Sequence, residues 1–408
     1  MPPIRPTGVG FALRDWMRPP RPHGKAVEGR TVSFLELFFD LVFVVFVSQV
    51  AHILVSHPDR HGAASFVVLF TLVWYTWLNG TLYHDLHGSD DGRSRIYLFV
   101  QMAFIAMLAV SVGSAAYDLD SGRRFAILLS LLLVWLTYQW WVVRRQDDPQ
   151  MASLSTPYFV GLGAMLVAVL ASIAAPGPSI RLALWAVGAG VAIAAPLLGS
   201  AVRQPGRPEG FAVSESMAER FALFTIIVLG EVVVGVVGGL SEAESGWVSI
   251  VVGLLCLNIG FGIWWNYFDF VGSRKPRPGR GIRGVWLIVH LPLSLSIAAT
   301  GAGMVSLIEH ANEARTPAAT AWLLGGSVAL LCASLAVIVS LMPPRPGARL
   351  VPVTVSLAAV GALVTAAAQP PPWLFAVVLI ALLSAVWTEA FVRHARLGEP
   401  FVEDGEST

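Results

Sequence analysis

Charge is scarce in this chain: of its 408 residues only 13% are Asp, Glu, Lys or Arg, while 55% are hydrophobic. Soluble domains carry about 25% charged residues to clothe their surface, so an ordinary soluble fold is excluded. A net charge of +1 leaves no basic surface for nucleic acid. There are just two cysteines, Cys256 and Cys332, each inside an apolar run, which excludes a disulfide framework and a cysteine metal site. P-loop, dinucleotide fingerprint, nucleophile motif and zinc spacing are all missing, which argues against an ATP-driven pump. Neither a cofactor nor an enzyme activity is expected. Residues 1–32 lack the apolar core of a cleavable signal peptide. They read instead as a disordered cytoplasmic tail, with Arg5, Arg14, Arg18, Arg21, Lys25 and Arg30 beside anionic headgroups.

Long apolar runs are what the chain does have. A helix crosses a bilayer in about 20 residues, and twelve runs have that length: 33–56, 63–83, 95–117, 124–143, 152–174, 181–201, 217–240, 247–271, 283–308, 318–342, 349–368 and 372–392. The predicted fold is therefore an all-α polytopic membrane protein of about 12 transmembrane helices. Alternate loops differ in charge. Of the 27 basic residues, 21 fall on the N-terminal side and five on the other, namely Arg60, Arg123, Arg124, Arg181 and Arg315. Arg220 opens the seventh span. The positive-inside rule then predicts cytoplasmic N- and C-termini, as an even span count requires.

An internal repeat is visible. Tyr83-His84-Asp85-Leu86-His87-Gly88-Ser89 and Tyr267-Phe268-Asp269-Phe270-Val271-Gly272-Ser273 share Tyr-x-Asp-x-x-Gly-Ser, 184 residues apart. Tyr97-Leu98-Phe99-Val100-Gln101 matches Trp286-Leu287-Ile288-Val289-His290 in pattern, and Glu36-Leu37-Phe38-Phe39-Asp40 corresponds loosely to Glu219 through Thr225. These matches predict two parallel six-helix repeats, 33–203 and 204–395, followed by a cytoplasmic tail at 396–408. Binding sites in transporters of this kind lie at the repeat interface.

Polar residues inside such runs are costly and point to function. Asp40, Gln101 and His290 all fall about 9–10 Å from the cytoplasmic edge at the helical rise, with Asn79, Gln139 and Glu389 at a similar level. Gln49, Asn258 and Glu231 fall deeper. Glu231 is the deepest carboxylate and reads either as a proton or cation site or as a protonated strut. Asp40 with His290 reads as a relay or ion-coordinating pair, or else as a fixed hydrogen bond between helices. Glu36, Glu219 and Arg220 lie near the edge, where an ion pair between equivalent ends of the two repeats is expected. Asp40, Glu231 and His290 are thus the candidate ion- or proton-binding residues. Glu36, Gln49, Gln101, Asn258, Glu219 and Arg220 are supporting polar groups. The segment His84 to Asp91 holds two His and three Asp but is expected to be a solvated turn rather than a metal site. Pro157, Pro196, Pro292 and Pro352 are expected to kink their helices.

Three segments resemble the bacterial low-temperature-requirement A family: Leu35-Glu36-Leu37-Phe38-Phe39-Asp40-Leu41-Val42-Phe43-Val44, Glu219 through Glu231, and Trp264-Trp265-Asn266-Tyr267-Phe268-Asp269. The resemblance covers residues 30–395 and implies a polytopic membrane protein. A fainter likeness joins Phe38-Phe39-Asp40-Leu41-Val42-Phe43 to the Phe-Ser-Asp signature of lysosomal-type potassium/proton channels, with Phe39 in place of Ser. The expected function is proton- or cation-coupled secondary transport of a small ion or molecule. A cation channel and a membrane-embedded enzyme or stress-related accessory protein are the alternatives. The expected partners are the lipid bilayer and, for a homo-oligomer, further copies of the chain.

Overall fold

The twelve apolar runs all form helices. The structure, a computed structural model, describes residues 16–22, 30–201, 213–242, 246–344 and 350–397. Among the described residues are twelve helices long and apolar enough to cross a membrane, and no strand. They are α1 Phe34–Ser56, α2 Arg60–His87, α3 Gly92–Ala115, α4 Leu119–Gln146, α5 Pro149–Ile173 and α6 Pro178–Ala201, then α7 Glu215–Glu242, α8 Trp247–Phe270, α9 Arg280–Glu309, α10 Ala318–Leu341, α11 Val351–Ala368 and α12 Pro372–Leu397. Several overrun their apolar cores, because a helix keeps its backbone bonds satisfied as it leaves the hydrocarbon.

Local chemistry sets the ends. Ser33 and Glu36 form a capping box at α1: Ser33 Oγ accepts from the Glu36 amide at 3.3 Å, and Glu36 Oε2 accepts from the Ser33 amide at 3.0 Å. Asp91 caps α3 through the Ser94 amide and Asp118 caps α4 through the Ser121 amide, at 2.8 and 2.7 Å. Gln369, with φ 50°, closes α11 in the left-handed conformation ahead of three prolines. Pro157, Pro196 and Pro292 lie in helix interiors as expected, whereas Pro352 lies at a helix start. It occupies the first turn of α11, where a missing amide hydrogen removes no helical bond.

The chain divides into two compact units, Met1–Phe46 with Thr71–Arg220, and Val47–Phe70 with Phe221–Thr408. In the first, α3 packs on α4, α4 on α5 and α5 on α6. A fully buried arginine ties this unit together. Arg181 of α6 donates to the carbonyls of Asp118 and Leu119 at 3.3 and 3.0 Å, and its Nε to that of Ser172 at 3.4 Å. Beside it, Trp185 donates to Ser172 Oγ at 2.8 Å. In the second unit α8 contacts α9, α9 contacts α10, and so on through α11 to α12, which returns to α8, so these five helices close a ring.

Two parts of the expected N-terminal tail are described. Residues 16–22 approach the end of α2, where the Arg21 amide donates to the His87 carbonyl at 3.0 Å. Arg30 reaches α1, as described below. The rest of the tail, including Arg5, Arg14 and Lys25, lies outside the described residues, as do Arg203, Arg207, Arg345, Arg349 and residues 398–408.

Candidate functional site

Asp40 and Arg220 are both wholly enclosed and form the centre of the first unit's charged cluster. The Arg220 Nη2 donates to Asp40 Oδ1 at 2.6 Å, and the Trp77 indole donates to the same oxygen at 2.7 Å. Glu36 lies one turn before Asp40, on nearly the same face of α1. Its Oε1 is 3.7 Å from Arg220 Nη1 and 2.6 Å from Arg30 Nη2. The guanidinium also lies over the Phe39 ring, 5.4 Å from its centroid. Arg220 thus meets two carboxylates, one at contact distance and one just beyond it. Asp40 Oδ2 and Arg220 Nε and Nη1 are buried without a hydrogen-bond partner.

The expected ion pair between Glu36 and Arg220 is present, but Asp40 is the closer partner. Glu219, the neighbouring acid, accepts from the Val32 amide at 3.4 Å. Of the expected polar layer, Gln101 and Gln139 meet, with Gln101 Nε2 3.5 Å from Gln139 Oε1. Asn79 turns its amide back to the Tyr75 carbonyl of its own helix.

A second tier lies at the end of α2. His84, Asp85, His87 and Asp91 are buried, contrary to the solvated turn expected there. The helix runs on through His87, and polar groups from elsewhere enclose its end. Ser214 and Ser216 both donate to Asp85 Oδ1, at 2.7 and 2.5 Å, and Arg30 lies 3.5 Å from the same oxygen. His87 donates from Nδ1 to the Arg21 carbonyl at 2.8 Å. Among the described residues no group of three His, Cys, Asp or Glu could hold a metal ion.

Glu231 and His290 belong to the second unit and have different surroundings. Glu231 is 6% exposed, with Ser48 of α1 as its hydrogen-bond partner. The backbone beside it is crowded. A Cβ on Gly301 would lie 2.7 Å from the Glu231 carbonyl oxygen, and one on Gly235 2.4 Å from that of Gly301. Only glycine at both positions lets α7 and α9 approach this closely. His290 sits in an aromatic box of Phe221, Trp286 and Tyr267. Its Nδ1 is 2.7 Å from the Trp286 carbonyl, which can only accept, so Nδ1 carries the proton. Nε2 then accepts from the Tyr267 hydroxyl at 3.3 Å. Within the second unit both ring nitrogens of His290 thus have partners, while Asp40 has Arg220 and Trp77 within the first.

Gln49 and Asn258 are exposed rather than part of a buried layer. Nine helical residues turn through about two and a half turns, which puts Gln49 on the side of α1 opposite Asp40. Ser48, one residue earlier, remains on the side that reaches Glu231. Sequence reasoning missed Trp77, Ser48, Ser214, Ser216 and Arg30. For Glu36 the signal was present as the Ser33-x-x-Glu36 capping box. For Ser214 it was the Ser214-x-Ser216 pair that straddles the start of α7.

Comparison with known proteins adds a lineage. A family model described as bacterial low temperature requirement A protein (LtrA) matches residues 31–385. The chain is 28% identical over 326 residues to the uncharacterized protein RA0937 of Rhizobium meliloti (strain 1021), covering 74% of this chain and 76% of that protein. No solved structure matches it.

Proposed function

This chain belongs to the bacterial low temperature requirement A protein (LtrA) family, and from its buried charges we propose that it is a proton-coupled secondary transporter. The observation that carries the reading is Arg220, wholly enclosed, with Asp40 at 2.6 Å and Glu36 at 3.7 Å. Ion pairs inside membrane-spanning helices are expensive to maintain and mark ion and proton pathways. With Asp40 ionised, the pair is neutral and closed. A proton on Asp40 cancels its attraction, and Arg220 shifts its charge toward Glu36, a short move between two discrete partners. The unpartnered Asp40 Oδ2 is where that proton arrives, and the unpartnered guanidinium N–H groups are where an anionic substrate or water binds. Glu231, with Ser48 as its neutral hydroxyl partner, supplies a second carboxyl able to carry a proton through the other unit.

In this reading the six-helix repeats arose by duplication, the protein resides in the bacterial inner membrane and both termini are cytoplasmic. The repeat motifs and the skewed basic residues support it. A static Arg220–Asp40 pair supports the channel alternative less, since it blocks its own pathway while intact.

A pH jump applied to proteoliposomes on a solid-supported membrane tests the proposal without a known substrate. The wild type should give a transient charge displacement. Asp40→Asn should diminish it several-fold, and Asp40→Asn with Glu231→Gln should abolish it. An undiminished transient in the double variant overturns the reading. A sustained current instead identifies a channel.

A further inference from the structure

Asn258 is the twelfth residue of α8, about 17 Å from its start along the helix axis, which puts its amide near the middle of the membrane-spanning stretch. It faces outward. Cys256, Ile259 and Ile263 turn into the protein, while Leu254, Leu257, Phe261 and Trp264 share the exposed face with Asn258. Together with Ile226 and Val233 of α7, that face forms an open groove of about 650 Å³. The groove walls are otherwise apolar, and Phe261 and Trp264 stack with centroids 5.7 Å apart. Gly230 opens the α7 side, since a Cβ there would meet nothing within 4 Å.

Among the hydrogen bonds of the described residues, none involves the Asn258 amide. A bare carboxamide in hydrocarbon forfeits every hydrogen bond that it has in water. We propose that a second copy of this chain covers the groove, with the two Asn258 amides hydrogen-bonded to each other across a two-fold axis along the membrane normal. Depth decides between occupants. A phospholipid carries its polar groups at the headgroup level and presents only methylenes at mid-span. A second copy related by that axis presents the same residue at the same depth, as a two-fold interface requires. A carboxamide has both a donor and an acceptor, so it is complementary to itself. Interhelical amide bonds of this kind are established glue between membrane helices. The open space at Gly230 and the Phe261–Trp264 wall give the partner helix a bed to lie in.

Disulfide trapping in native membranes tests the contact. In a background with Cys256→Ala and Cys332→Ala, oxidation should link Asn258→Cys into a dimer. Leu357→Cys, exposed on α11 away from the groove, should stay monomeric under the same treatment. In parallel, single-molecule counting of the unlabelled protein in lipid nanodiscs or vesicles should show wild-type dimers. Asn258→Leu should weaken association at least tenfold, and Asn258→Gln should retain it. A monomeric wild type overturns the proposal, as does association indifferent to Asn258→Leu. So does a tightly retained lipid lost with Asn258→Leu, which would make the groove a lipid site. None of these readouts depends on proton movement, so their outcome is separable from that of the transport reading.

Discussion

Removing one partner of the Asp40–Arg220 pair strands the other charge among membrane-spanning helices. Breaking a buried pair in this way typically costs about 3–5 kcal/mol, whereas replacing both members by apolar groups of similar volume is often neutral. Arg220→Met alone should therefore lower the melting temperature of the purified protein sharply. Asp40→Leu combined with Arg220→Met should recover most of the loss, and a double variant no more stable than the single one would show that Arg220 is held chiefly by other groups. This residue-scale picture was half legible. The apolar runs exposed Glu36, Asp40 and Glu231 as costly acids, and the position of Arg220 suggested a partner for Glu36. The shift of the main bond to Asp40, and the indole of Trp77 on the same oxygen, depend on how helices far apart in sequence are rotated against each other. No local pattern records that rotation. Ser48 and Gln49 show the same limit: adjacent in sequence and both polar, they face a buried carboxyl and the exterior respectively.

Among the helices, the tightest constraint is the crossing of α7 and α9 at Gly235 and Gly301. Each glycine meets backbone rather than a flexible side chain, so a methyl group can be admitted only by moving a helix. Gly235→Ala and Gly301→Ala should each destabilise by about 1–3 kcal/mol, the usual cost of overpacking. Gly163→Ala and Gly190→Ala, where a Cβ would meet nothing within 4 Å, should be neutral or mildly stabilising. Thermal unfolding in one detergent compares all four, and equal effects would deny the close approach. The elements themselves were readily legible, because twenty apolar residues in a row have few other fates. Their ends were less so. The stretch from His84 to Asp91 looks like a solvated turn by composition, yet Ser214, Ser216 and the Arg21 segment bury it from distant parts of the chain.

Taken whole, the described residues include twelve helices long and apolar enough to cross a membrane, and the topology proposed above puts both termini on the cytoplasmic side. Impermeant labelling of single cysteines at the two ends should find both shielded in intact cells and both reactive once the membrane is opened. Opposite reactivity at the two ends would break the twelve-span topology. Arg181 emerges after α4 and α5, and its guanidinium closes on carbonyls at 118, 119 and 172. Until α6 arrives, those three carbonyls lack this cation. The first unit can therefore be completed only late in its own synthesis, when the α3–α4 and α5–α6 loops are tied together at once. A chain truncated and released just before residue 181 should leave α4 and α5 inserted but open to membrane quality-control proteases, and one released after α6 should not.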